Sequence, residues 1–208
     1  MQDLFDVINN LKKSEVSKAV KSRINEFNEI RSLFHDKIFG ELCFCVMTAN
    51  CSAEKCIEVQ KLVGDGFHNL PEEKLAQKLR LYGYRFPNIR AKYIVQAREL
   101  QGELKSNIKT YKDSHKLREW IVKNIKGLGY KEASHFLRNI GFTDYAIIDF
   151  HILDLLTKLN LIEKPKTLTK TKYLEIEELL EKIAEGLNLN LAELDLYMWY
   201  METGKILK

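Results

Sequence analysis

Apolar residues recur at every third or fourth position through nearly the whole chain, and no segment alternates convincingly with period two. That spacing gives a helix one dry face, whereas on a strand it would scatter the same residues over both faces. It predicts an all-α chain of about ten helices. Leu4, Ile8 and Leu11 mark the first, and Val16, Val20, Ile24, Phe27 and Ile30 the second, with Ser14 at its N-cap. From Leu33 to Ala49 the residues are apolar almost all round, which suits a central, buried helix. Ser52 can cap a helix that turns Cys56, Val59, Leu62 and Val63 inward, closed by Gly64-Asp65-Gly66. Pro71 and Pro87 suit first turns. The first opens a helix ended by Gly83, the second one facing Ile89, Tyr93, Ala97 and Leu100 inward. Further helices are expected on Leu117 to Ile121, on Phe136 to Ile140 with Gly141 as C-cap, and from Asp149 or Thr143 through Leu159. The last two carry Tyr173 to Leu187 and Leu191 to Met201.

The 208 residues are 45% hydrophobic, enough for a sizeable core. With 33 Lys and Arg against 29 Asp and Glu, the net charge of +4 is too small to define a partner by itself. Affinity for nucleic acid must come from where the charges sit. The longest apolar runs fall short of the roughly 18–20 residues that span a bilayer. Met1 to Asn10 lacks the basic segment of a secretory signal. An intracellular protein with no membrane contact is expected. Cys43, Cys45, Cys51 and Cys56 match no usual zinc or cluster spacing, so free thiols and no metal site are expected.

Between two helical runs lies Ile125-Lys126-Gly127-Leu128-Gly129-Tyr130-Lys131-Glu132-Ala133. Two glycines one residue apart let the backbone turn and aim N–H groups at the mouth of the next helix, a phosphate-binding arrangement. Lys131 then puts an amine on that helix's first turn. Eighteen residues later Asp149 stands in the apolar run Ile147-Ile148-Asp149-Phe150-His151. An ordinary helix–helix turn with a solvated lysine is the simpler reading of the same residues. The chemical one is that an unprotonated lysine attacks C1′ of a nucleotide, displaces the base and leaves a Schiff base with the opened sugar. Asp149 would orient the amine, relay its proton or stabilise the cationic sugar. The Schiff base then permits β-elimination. Such chemistry needs the base flipped from the duplex, with Arg85 and Phe86 of Tyr84-Arg85-Phe86-Pro87 as wedge candidates, an aromatic loop packed on the domain being the other reading of that stretch.

The Gly127-to-Ala133 segment, followed by Asp149, resembles the helix-hairpin-helix and aspartate loop of the DNA glycosylase superfamily. A lysine at position 131 resembles its bifunctional glycosylase/lyases. The small all-helical chain ending at Lys208, with no extra β-domain and no C-terminal cysteine cluster, is similar to the type-2 (archaeal-type) 8-oxoguanine DNA glycosylase/AP lyases. The resemblance implies two helical subdomains with a DNA-binding cleft between them, residues 31–143 forming one and residues 1–30 with 144–208 the other. It implies Lys131 as nucleophile, Asp149 as its activator, and Gly127 and Gly129 on the DNA backbone. Asn50 would join Arg85 and Phe86 at the opened duplex, and Lys208 and Trp199 would recognise the base. Trp199 also fits a core position beside Met198 and Met201, and His151 a core or capping role. The implied partner is double-stranded DNA containing 8-oxoguanine, bound by a monomer in the cytoplasm or nucleoid. No cofactor is required, although relatives bind a monovalent cation through hairpin carbonyls. Lys126 stands where a proline is common, which loosens the turn and adds a phosphate contact. An endonuclease III-like glycosylase/lyase for oxidised pyrimidines, a non-catalytic helix-hairpin-helix DNA-binding module and a helical protein-interaction domain are the alternatives.

Overall fold

The computed structural model describes residues 2–32, 36–111 and 113–208. Among them are thirteen α-helices and no strand. The chain divides into two compact units, Leu33–Phe136 and the pair of segments Met1–Ser32 and Leu137–Lys208.

In the unit built from the chain ends, α1 (Gln2–Lys12) buries Leu4 and Ile8, and α2 (Glu15–Ser32) buries Val20 and Phe27. They join α11 (Phe150–Lys158), α12 (Lys170–Gly186) and α13 (Leu191–Thr203). Each of these three starts on a side-chain cap. Asp149, Thr169 and Asn190 accept from the backbone N–H of Ile152, Lys172 and Glu193. Each cap contributes about 1 kcal/mol. The α13 core residues Leu191, Leu194, Leu196 and Met198 are accompanied by buried Asp195, which pairs with Arg138 at 3.3 Å.

The segment leading to Asp149 is not helical, so Thr143 does not start a helix. Its polar backbone is satisfied from α12 instead. The Tyr173 hydroxyl donates to the Ala146 carbonyl at 2.7 Å and accepts from Ile148 N–H at 3.3 Å. Glu177, buried, accepts from Ala146 N–H at 2.9 Å.

In the second unit, α3 (Asp36–Thr48) is buried from Ile38 onward apart from half-buried Gly40. Residues 33–35, the start expected for this helix, lie outside the described residues. It packs on α4 (Ala53–Val63) and α7 (Pro87–Glu99). Short α5 (Gly66–Asn69), α6 (Glu72–Leu81), α8 (Gln101–Thr110) and α9 (Ser114–Asn124) complete it, with the boundary between units falling inside α10 (Tyr130–Asn139).

Two helix faces differ from expectation. Leu62 is exposed, leaving Cys56, Val59 and Val63 as the inner face of α4. On α7 the inner face is Ala91, Ile94 and Ala97, while Ile89 is exposed. Apolar residues surround α7, so spacing alone permits either face. The sequence reading also misses α5 and α8. The first is a single turn, and the second buries only Leu104 and Ile108 among polar residues.

Gly141, just past α10, has φ +87°, and a Cβ there would meet the Phe27 carbonyl oxygen at 3.1 Å and Asn28 Cα at 3.2 Å. Both contacts are backbone, so neither can swing aside. Gly141→Ala is expected to destabilise the chain by about 1–3 kcal/mol, lowering Tm by roughly 2–4 °C per kcal/mol in a thermal melt. An unchanged melting curve would count against this account of the turn.

Candidate functional site

The hairpin is built from the inside. Arg118 on α9 is fully buried and donates to Ser134 Oγ of α10 at 3.1 Å. Its guanidinium also lies 5.1 Å from the Tyr130 ring centroid, and the Tyr130 hydroxyl donates to Glu119. These contacts fix the two helices about the turn. Within it Gly127 has φ +88°, and a Cβ would lie 2.6 Å from the Tyr93 ring. Glycine is thus required twice there, by conformation and by space. Gly129 is the N-cap of α10, its carbonyl accepting from Ala133 N–H. Its own N–H donates to Glu132 Oε2 at 3.2 Å, half of a capping box.

The other oxygen of Glu132 pairs with Lys131 Nζ at 3.0 Å. Lys131 is a quarter exposed, and its charge acts on the thiol of Cys56. Burial, then the neighbouring thiols of Cys51 and Cys45, pushes that thiol well above its ordinary range, with Lys131 opposing the rise. All four cysteines are free thiols.

The wedge candidates share a frame. The Tyr84 hydroxyl donates to the Met47 carbonyl at 2.7 Å, and Arg90 Nη2 donates to that of Ala49 at 3.1 Å. Burial pushes the Tyr84 phenol up, so it remains a neutral donor. Asn50 follows, exposed and left-handed at φ 61°, a conformation asparagine tolerates. Between the two donors, half-buried Phe86 lies under the guanidinium of exposed Arg85 at 4.9 Å and that of Arg90 at 5.9 Å. Arg90 also lies 5.7 Å from the Tyr93 ring, which packs at Gly127. Thus Asn50, Arg85, Phe86, Gly127, Gly129 and Lys131 belong to one unit.

Asp149, Trp199 and Lys208 belong to the other. As N-cap of α11, Asp149 uses Oδ1 to accept from Ile152 N–H at 3.0 Å, while Oδ2 has no hydrogen bond among the described residues. His151 lies neither in the core nor at the cap. Its ring meets Phe150 at 3.9 Å between centroids and Trp199, edge-on, at 4.9 Å. Trp199 is half-buried, and its indole Nε1 is buried without a partner among the described residues. Lys208 is half-buried beyond the C-terminal end of α13.

Sequence reasoning missed Glu132, Arg90 and Asp195. Glu132 was signalled, since a glutamate three residues after an N-cap is a capping signature. Asp195 was marked only as a carboxylate in an apolar helix, one turn before Trp199. Nothing in the sequence marks Arg90.

Burial raises the Asp195 carboxyl from its ordinary 3.8 to about 6, with Arg138 opposing the rise and Asp149 adding to it. Between those values the folded chain holds a proton that the unfolded chain releases. Stability from this group is therefore greatest at low pH and falls as pH rises through the window. Unfolding free energies from urea titrations between pH 4 and 7 are expected to show this fall, on the order of 1–3 kcal/mol, and Asp195→Asn should remove it. Parallel pH profiles for the two proteins would refute the assignment.

Residues 20–189 match the family Ogg-HhH, described as 8-oxoguanine DNA glycosylase. A Korarchaeum cryptofilum 8-oxoguanine DNA glycosylase/AP lyase is 51% identical over 209 residues, covering 100% of this chain and 99% of the relative. The Methanocaldococcus jannaschii 8-oxoguanine glycosylase/lyase in complex with a 15mer DNA containing 8-oxoguanine superposes with TM-score 0.95 at 50% identity, covering 99% of each chain. The 8-oxoguanine DNA glycosylase of Thermotoga maritima gives TM-score 0.93 at 44% identity, covering 100% of this chain and 99% of that one.

Proposed function

The chain belongs to the 8-oxoguanine DNA glycosylase family, and from that membership we infer that it excises 8-oxoguanine from duplex DNA and cleaves the resulting abasic site as an AP lyase. The observation that carries the residue-level reading is the hairpin turn at Gly127 with Lys131 on the first turn of α10, matched by an Asp149 carboxylate that keeps one oxygen unused.

In this reading the backbone N–H groups around Gly127 and Gly129 hold a DNA phosphate. Asn50, Arg85 and Phe86 fill the space left when the damaged nucleotide is flipped. Lys131 must part from Glu132 and lose its proton before its lone pair reaches C1′. The C1′–N bond to the base breaks as the C1′–Nζ bond forms, and the base leaves with the bonding pair and takes a proton. Asp149 Oδ2 stabilises the positive charge that grows on the sugar. Ring opening gives the Schiff base, loss of a C2′ proton expels the 3′ phosphate, and water releases Lys131. Trp199 and Lys208 are the candidates for base recognition, the half-buried Trp199 ring offering a surface on which a base can stack. A pocket acceptor for N7–H would favour the lesion over guanine.

No cofactor enters these steps. A monovalent cation on the hairpin would take main-chain carbonyls, the hard oxygen ligands such an ion accepts, and would add positive charge near the phosphate. No helix among the described residues is long and apolar enough to cross a membrane. The protein is proposed to act as a monomer inside the cell, in the cytoplasm or on the nucleoid.

Borohydride trapping tests the chemistry. Wild-type protein should become covalently attached to duplex carrying 8-oxoguanine, more slowly or not at all to a thymine glycol duplex, and not to undamaged DNA. Lys131→Gln should abolish trapping. Asp149→Asn should cut base release by about 100-fold or more while DNA binding persists. Lys208→Ala should weaken discrimination against guanine more than lyase action on a preformed abasic site. Undiminished trapping by Lys131→Gln would sink the mechanism, and preferred trapping on thymine glycol would move the substrate to oxidised pyrimidines.

A further inference from the structure

Phe150 stands out because it is a large aromatic ring left in water. It is 64% exposed, and the other large exposed apolar residues among those described, Val7, Leu62, Leu81 and Ile89, are aliphatic. A helix beginning in solvent is better served by a polar or charged residue at this position. Phe150 occupies the first position of α11, directly after the capping Asp149.

The ring is also held. Its inner face meets the His151 ring at 3.9 Å between centroids and 35° between planes. His151 in turn meets Trp199 edge-on, at 4.9 Å and 84°. Three rings therefore run in series from the surface to a half-buried indole. A ring fixed in advance loses little freedom when something packs on its outer face. Asp149 and Phe150 are the N-cap and first residue of α11, so the ring stands at the same helix N-terminus as the unused Asp149 oxygen.

We propose that Phe150 is a further DNA-contacting residue, its exposed ring packing against the apolar face of a deoxyribose in the strand that carries the lesion. This rests on the reading that Asp149 acts at the sugar of that strand. The deoxyribose offers C–H groups between charged phosphates, and a neutral ring can cover them without displacing any counterion. The contact therefore adds affinity that salt does not screen, unlike the backbone contacts at Gly127 and Gly129. It also sets the sugar's distance from the carboxylate.

The test is equilibrium binding of the full chain to a duplex containing a tetrahydrofuran abasic site, measured by fluorescence anisotropy across a salt series. Phe150→Ala is expected to bind about five- to tenfold more weakly at every salt concentration, the loss expected from uncovering part of one apolar ring. The slope of log K against log salt should stay at the wild-type value. Phe150→Tyr should retain wild-type affinity, and because it keeps the ring it decides the matter if the alanine variant melts at a lower temperature. Unchanged affinity in Phe150→Ala, a changed salt slope, or failure of Phe150→Tyr to retain binding would each overturn the proposal. Should the wild type bind this duplex no better than an undamaged one, the fault would lie in the glycosylase reading itself.

Discussion

The last turn of α3 needs hydrogen-bond donors. A helix leaves its final carbonyls without partners inside the helix, and α3 is buried almost throughout. The Thr48 hydroxyl and Cys51 N–H serve the Cys45 and Thr48 carbonyls, and two side chains of one short stretch, the Tyr84 hydroxyl and the Arg90 guanidinium, serve Met47 and, just past the helix, Ala49. Because they flank Phe86, satisfying α3 also fixes the loop carrying Arg85 and Phe86, and it sets where Asn50 emerges. The same Arg90 lies near the ring of Tyr93, which occupies the space that a side chain at position 127 would take. Pairing the carbonyls at the end of α3 thereby organises the loop of Arg85 and Phe86 and seats the hairpin turn.

The other unit meets the same requirement by a different route. Its approach to Asp149 is irregular backbone lying under other residues, with Tyr145, Ala146, Ile147 and Ile148 all buried. Such a segment would be costly without partners. Tyr173 and Glu177, both on α12 and both buried, supply them at Ala146 and Ile148. Buried polar groups of α12, paired with this irregular segment, are here the reason a carboxylate can stand at a defined point at the start of α11.

These pairings explain what could be read from the sequence and what could not. Helix positions, most caps and the hairpin follow from local spacing, because a cap or a glycine at positive φ acts on residues within one turn of itself. Ser52 and Asp149 cap where their residue types suggest. Arg118, Arg138, Glu177 and Asp195 look like surface residues, since a charged side chain carries no local mark of burial. They go inside because a partner distant in sequence meets them: Ser134 for Arg118, Ala146 for Glu177, and Asp195 for Arg138. Ile89 and Leu62 err in the opposite direction, as apolar residues whose neighbours already fill the inner face. The candidate site lies mostly on caps and turns, which is why its principal residues were legible while the residues supporting them were not.

Asp149 and Glu132 are both carboxylates at helix N-termini, and residue type alone cannot rank them as partners for a cationic sugar. Their hydrogen bonds can. Glu132 sits at the third position of α10 and engages both oxygens, one with Gly129 N–H and the other with the Lys131 amine. Asp149 sits at the cap itself, where Ile152 N–H takes one oxygen and leaves the other without a hydrogen bond among the described residues. A carboxylate that must meet positive charge on a sugar has to be fixed in place and yet keep a lone pair to offer. Capping a helix with aspartate satisfies both conditions, since the cap holds one oxygen in place and leaves the second without a hydrogen bond among the described residues. Glu132 can tether the amine, but in this arrangement it has no oxygen left for the sugar.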